Sequence, residues 1–133
     1  MREHDPKRPI KSFEDLLVYQ KAYSLSLSIH KESLQLPKIE QYGGIAEQMR
    51  RASKSICANI AEGFAKQRQS APEFRRFLSM AIGSSDEMKV WLQYAVDLGY
   101  VSQVLASNWT VSYSDIAKML NGLGQSWQQK AHF

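Results

Sequence analysis

A chain of 133 residues, 44 % of them apolar, is the size of one domain and can bury a core without a metal or disulfide staple. Its single cysteine, Cys57, excludes an internal disulfide, and no stretch approaches the roughly 18 consecutive apolar residues of a membrane span. The net charge of +4 is modest but concentrated: between Arg50 and Arg76 seven cations face two acids, a surplus of five that leaves the rest of the chain close to neutral.

With only 4 Pro and 7 Gly, long periodic runs favour helices over a turn-rich β fold. Residues 1–11 are charged and proline-containing, read as a loose arm, and lack the apolar segment of a signal peptide. Together with the lone cysteine this points to a cytoplasmic chain. Ser12-Phe13-Glu14-Asp15 has the form of a capping box and opens the first helix. Two apolar stripes follow, Phe13, Leu16, Tyr23, Leu27 and Leu34, and Val18, Ala22, Leu25 and Ile29, so this helix buries more than one side. Pro37 ends it.

Gly43-Gly44 opens the second helix, with the stripe Ile45, Met49, Ala52, Ile56, Ile60 and Phe64. Glu47–Arg51 and Glu62–Lys66 have the favourable i, i+4 order for ion pairs. Ser70-Ala71-Pro72-Glu73 is the clearest boundary: Ser70 caps, Pro72 suits a first turn and Glu73 completes the box. The third helix carries Phe74, Phe77, Leu78, Ala81, Met88, Trp91, Leu92, Ala95 and Leu98, and Gly99 stops it. Gly83, Ser84 and Ser85 in its middle offer a place for another helix to approach closely. In the fourth, Leu105, Trp109, Tyr113, Ile116, Leu120, Leu123 and Trp127 recur at steps of four and three, alternating from Trp109 onward, the seam of left-handed bundle packing. Gly122 and Gly124 weaken its last turns. The expected architecture is an all-α, up-down-up-down antiparallel four-helix bundle over residues 12–129, with a frayed tail at 130–133.

Enzymatic chemistry finds little support. Two of the three histidines, His4 and His132, lie at the termini, and His30 is preceded at the relevant spacing by Leu27, so the Glu-x-x-His pair of a bundle metal site is missing. No metal or cofactor is expected. Cys57 could be a nucleophile, but with no histidine nearby in sequence it reads as a small buried hydrophobe. Glu62 could be a general base. Beside the apolar stripe, with Gln48 and Asn59, it reads instead as part of a polar network that fixes helix register. The cations Arg50, Arg51, Lys54, Lys66, Arg68, Arg75 and Arg76 are either a solvated face with ordinary ion pairs or a phosphate-binding surface. A hairpin would bring Lys66, Arg68, Arg75 and Arg76 to one edge, where they would attract phosphates in a salt-dependent, sequence-independent way.

Arg50-Arg51-Ala52-Ser53-Lys54-Ser55-Ile56 through Asn59-Ile60-Ala61-Glu62-Gly63 resembles the signature of the four-helix bundle proteins encoded in 23S rRNA intervening sequences. Leu17-Val18-Tyr19-Gln20-Lys21-Ala22 is similar to that family's first-helix motif, and Gln48 precedes the double arginine. Phe74, Phe77-Leu78, Ala81-Ile82-Gly83-Ser84 and Glu87 resemble its third helix, and Leu98-Gly99-Tyr100 its turn into the fourth. The resemblance spans Phe13 to Trp127. Cys57 departs from it, standing where proline or a small aliphatic residue is expected. It implies a non-enzymatic homo-oligomer, typically a barrel-like pentamer, akin to the accessory variability determinant of diversity-generating retroelements. That relative is a basic pentamer binding nucleic acid and a reverse transcriptase. Arg50, Arg51 and Lys54 match the family's basic positions; Lys66, Arg68, Arg75 and Arg76 come from charge clustering alone. The expected partners are further copies of the chain, an RNA or DNA backbone and a reverse transcriptase. The rival reading is a protein-interaction scaffold without affinity for nucleic acid.

Overall fold

The computed structural model describes residues 9–130, with side chains as far as residue 126. Most of the expected N-terminal arm, nearly all of the expected tail and the side chain of Trp127 lie outside the described residues. Four helices follow in order: α1 (Leu17–Ser33), α2 (Ile45–Lys66), α3 (Ala71–Asp97) and α4 (Gln103–Lys130), with one-turn 3₁₀ segments at Phe13–Asp15 and Lys38–Glu40 and no strand among the described residues.

Cross-helix contacts fix the directions. Arg50 reaches Ser33 and Lys54 reaches His30, so α2 runs against α1. Ser55 meets Ser84 while Gly63 faces Phe77, so α3 runs against α2. Leu92 lines a groove with Ala106 while Gly124 faces Leu78, so α4 runs against α3. Each helix turns one face to a shared core. Ile29 of α1, Met49, Ile56 and Ile60 of α2, Phe74, Met88 and Leu92 of α3, and Tyr113, Ile116 and Leu120 of α4 are all essentially inaccessible. Burying one such side chain contributes about 1.5–3 kcal/mol.

The boundaries expected at Gly43-Gly44, Ser70 and Gly99 hold, whereas α1 starts later than Ser12 and ends at Ser33, before Pro37 is reached. Ser70 Oγ accepts from the Glu73 N–H at 3.2 Å, with proline in the first turn of α3. Gly99 adopts φ +79°, which lets the Tyr100 N–H reach the Ala95 carbonyl at 2.8 Å and the Gly99 N–H reach Val96 at 2.9 Å, the paired closure of a glycine stop. α2 begins after Gly43-Gly44, and the Glu47 carboxylate accepts from the Gly43 N–H. The Ser12 box does not open α1. Asp15 accepts from the Ser12 and Lys11 N–H groups, but the turn it closes is only Phe13–Asp15, because Leu16 is extended before α1 starts at Leu17.

The two stripes of α1 separate in space. Val18, Ala22 and Ile29 enter the core with Leu25 packed against it, and Leu16 is buried too. Tyr23, Leu27 and Leu34 remain on the surface at 38, 46 and 56 % exposure. On α3, Met80, Tyr94 and Leu98 are likewise exposed. The small-residue patch divides: Ser84 meets Ser55 of α2 and Ser85 is buried, whereas a Cβ built on Gly83 meets nothing within 4 Å.

Candidate nucleic-acid interface

The helical period sorts the cations before any partner is considered. Arg50 stands seven residues before Cys57, on the flank of α2 that faces α1, and is half-buried. Arg51 stands seven before Ala58 and fourteen before Ala65, all exposed. The guanidinium of Arg50 donates to Ser33 Oγ at 2.9 Å, to Gln41 Oε1 at 3.1 Å and to the Gln41 carbonyl at 2.7 Å. Gln41 in turn donates to the carbonyls of Ser33 and Leu36 at 2.8 and 3.0 Å. Arg50 is therefore a clamp on the α1–α2 connection, its donor fork engaged by protein acceptors. Sequence reasoning placed it on the phosphate-binding surface and missed Gln41 and Ser33; its heptad relation to Cys57 was the available signal.

The other six cations fall into two groups about 20 Å apart along α2, at 1.5 Å of rise per residue. Near the α1 seam, Lys54 Nζ lies 3.0 Å from His30 Nδ1, and Arg51 has no acidic partner among the described residues. Burial, then Lys54 and Arg50, hold the His30 imidazole below its ordinary titration range. At the α2–α3 turn, Lys66, Arg68 and Arg75 have no acidic partner among the described residues. Arg76 forms a two-pronged pair with Glu73 at 3.1 and 3.3 Å and lies 4.7 Å from the Phe77 ring centroid. Arg75 lies round the helix from it, against Gly124 of α4. The turn thus gathers Lys66, Arg68, Arg75 and Arg76 at one end of the bundle, and only Arg76 is balanced. The expected ion pairs Glu47–Arg51 and Glu62–Lys66 do not close: Glu47 caps α2, and Glu62 is exposed with no partner among the described residues.

The predicted polar network survives in one member. Asn59 Nδ2 donates to the Ser55 carbonyl and hydroxyl at 2.9 and 3.1 Å, and Ser55 Oγ meets Ser84 Oγ of α3 at 2.9 Å. Gln48 and Glu62 make no side-chain hydrogen bond among the described residues. Cys57 is half-buried beside Ser26, and burial pushes its thiol up to about 11, so it is a poor thiolate. Among the described residues no three His, Cys, Asp or Glu gather as a metal site, and no helix is long and apolar enough to cross a membrane.

The profile of the 23S rRNA-intervening sequence proteins matches residues 14–122, most of the chain and the whole stretch that carries these cations. The chain belongs to that family. A crystal structure from Bacteroides thetaiotaomicron, a protein of unknown function from the S23 ribosomal protein family, superposes with a TM-score of 0.72 over 82 % of this chain and 96 % of that one. At 23 % identity it shows that the family's helical fold is shared. None of the curated proteins matches the chain.

Proposed function

We propose that this member of the 23S rRNA-intervening sequence family is a non-enzymatic, self-associating protein that binds nucleic acid through its phosphates. The observation that carries the reading is the end of the bundle at the α2–α3 turn, where Lys66, Arg68 and Arg75 stand on a helical hairpin with no acidic partner among the described residues. Unbalanced cations on a fixed frame attract a polyanion without reading bases, because the gain comes from release of its condensed counterions. The exposed apolar residues Tyr23, Leu27 and Leu34 on α1, and Met80, Tyr94 and Leu98 on α3, support self-association, with the open Gly83 among them. A barrel-like pentamer and service to a reverse transcriptase remain implications of the sequence resemblance.

Replacing Lys66, Arg68 and Arg75 together by Gln tests the reading by fluorescence anisotropy on single-stranded RNA and duplex DNA at rising salt. The wild type should bind at low salt, and the triple variant should lose affinity tenfold or more. The log–log salt slope should flatten by about 0.7 on single strands for each phosphate contact removed. A wild type that does not bind at low salt, or a triple variant with an unchanged slope, overturns it. A monomeric mass in solution overturns the self-association.

A further inference from the structure

We infer that His30, Lys54 and Arg51 form a phosphate seat on the α1–α2 seam, and that a nucleic-acid phosphate entering it brings a proton onto His30, so that binding tightens as the pH falls. The inference rests on the nucleic-acid reading and adds a site and a regulation to it, some 20 Å from the turn that carries that reading.

Lys54 Nζ and His30 Nδ1 are 3.0 Å apart, and Lys54 is exposed. An ammonium has no acceptor, so this contact requires the imidazole to be neutral, with its lone pair on Nδ1 receiving the Lys54 proton and its own N–H on Nε2. The charges around the pair are lopsided. From α1 come Lys31 and Glu32; from α2 come Glu47, Arg50, Arg51 and Lys54; from the connection come Lys38 and Glu40. None of the three acids pairs with His30 or Lys54. Glu47 accepts from the Gly43 N–H, Glu40 accepts from the Ile45 N–H and the Tyr100 hydroxyl, and Glu32 joins no ion pair among the described residues. Arg50 gives three of its donors to Gln41 and Ser33 and contributes field from a fixed position.

Arg51 lies one helical turn before Lys54 on the exposed side of α2. A phosphate oxygen beside this group supplies the missing negative charge. Lys54 then turns its N–H groups to the phosphate, Nδ1 is freed, and a proton from solvent occupies it. The same cationic neighbours that hold His30 neutral in the free protein are screened by the bound anion, so proton uptake and binding favour one another.

The test uses the full chain and a mixed-sequence single-stranded RNA, at about pH 7.5 and about pH 5.5, either side of the ordinary histidine range. The wild type is expected to bind about threefold or more tightly at the lower pH, with a salt slope steeper by about 0.7, the increment of one added phosphate contact. His30→Gln should show a smaller gain than the wild type when each is taken from the higher pH to the lower one. An equal gain in His30→Gln assigns the proton to another group and overturns this inference while leaving the nucleic-acid reading standing. No binding by the wild type at either pH overturns both. As a second measurement, the NMR titration midpoint of the His30 ring should rise when RNA is added; an unchanged midpoint overturns the seat.

Discussion

At the end of the bundle where α1 and α3 finish and α2 and α4 begin, polar groups hold the chain together. Arg50 bridges Ser33 and Gln41, and Glu40 accepts from the Ile45 N–H at 3.0 Å and the Tyr100 hydroxyl at 2.8 Å, tying one connection to the other. At the opposite end the α2–α3 turn closes by apolar contact: Gly63 lets α2 approach so near to α3 that a Cβ there would lie 2.9 Å from Phe77 Cβ and 3.2 Å from the Phe74 ring. The two ends carry the same kind of residue on their rims and use it differently. Where carbonyls and an amide converge, arginine becomes a clamp. Where apolar groups and a glycine bring the helices together, Arg76 alone holds an acid, Glu73, and Lys66 and Arg68 face the solvent with no acidic partner among the described residues.

The sharpest way to break this comparison is to remove the clamp. Arg50→Met keeps the aliphatic stem against α1 but strands the acceptors of Ser33 and Gln41. It should cost about 2 kcal/mol, the worth of a partly buried charged hydrogen-bonded group, read as a fall in the urea midpoint at unchanged slope. Its RNA affinity should stay within about twofold of wild type, since the guanidinium is already engaged. The triple replacement at Lys66, Arg68 and Arg75 should do the opposite, leaving stability within about 0.5 kcal/mol and removing affinity. A clamp variant that folds as well as wild type but loses RNA would mean that Arg50 belongs with the surface cations after all.

The fold was legible because its signals are local and repeated. The stripe of α2, the heptads of α4, the Ser70 cap and the Gly99 stop each follow from neighbouring residues, and each appears in the structure. The site was legible only as a charge surplus. Arg50 and Arg51 are adjacent in sequence, yet the 100° step between them puts one against α1 and the other in solvent. That separation was readable from Cys57 against Ala58. Gln41 and Ser33, which complete the clamp, were not readable, because they lie in a connection and at a helix end that the α2 period cannot place. His30 was set aside as a failed metal ligand; its contact with Lys54 depends on the register between α1 and α2, which no local pattern states.

The apolar end offers a smaller effect. Gly63→Ala forces Phe77 and Phe74 to shift, and should destabilise by about 1–2 kcal/mol even after the gain in helix propensity. Gly83→Ala meets nothing within 4 Å inside the protomer and should stabilise it by about 0.5–1 kcal/mol. Chemical denaturation of the two variants side by side separates a glycine required by close packing from one that is not. If Gly83→Ala also lowers the mass in solution, the open space at Gly83 is occupied by another copy of the chain.

The smallest effect distinguishes the ends by pH. The Ile45 N–H and then the Tyr100 hydroxyl hold the Glu40 carboxyl below its ordinary value of 4.5. A group whose folded value is depressed contributes stability above its unfolded value, and that contribution is lost as the pH falls through the folded one. Tyr100→Phe removes one of the two donors, so its urea midpoint should lie slightly below wild type near neutral pH and converge on it in acid, once the Glu40 carboxyl is protonated in the folded protein. A gap that persists into acid would assign the Tyr100 contribution to packing of its ring and not to the hydrogen bond. Gly63→Ala, whose penalty is steric, should keep a constant gap over the same range. An end closed by a carboxylate weakens in acid and an end closed by a glycine against two phenylalanines does not, so the connections on the clamp side should open first as the pH drops while the turn that carries Lys66, Arg68 and Arg75 stays folded.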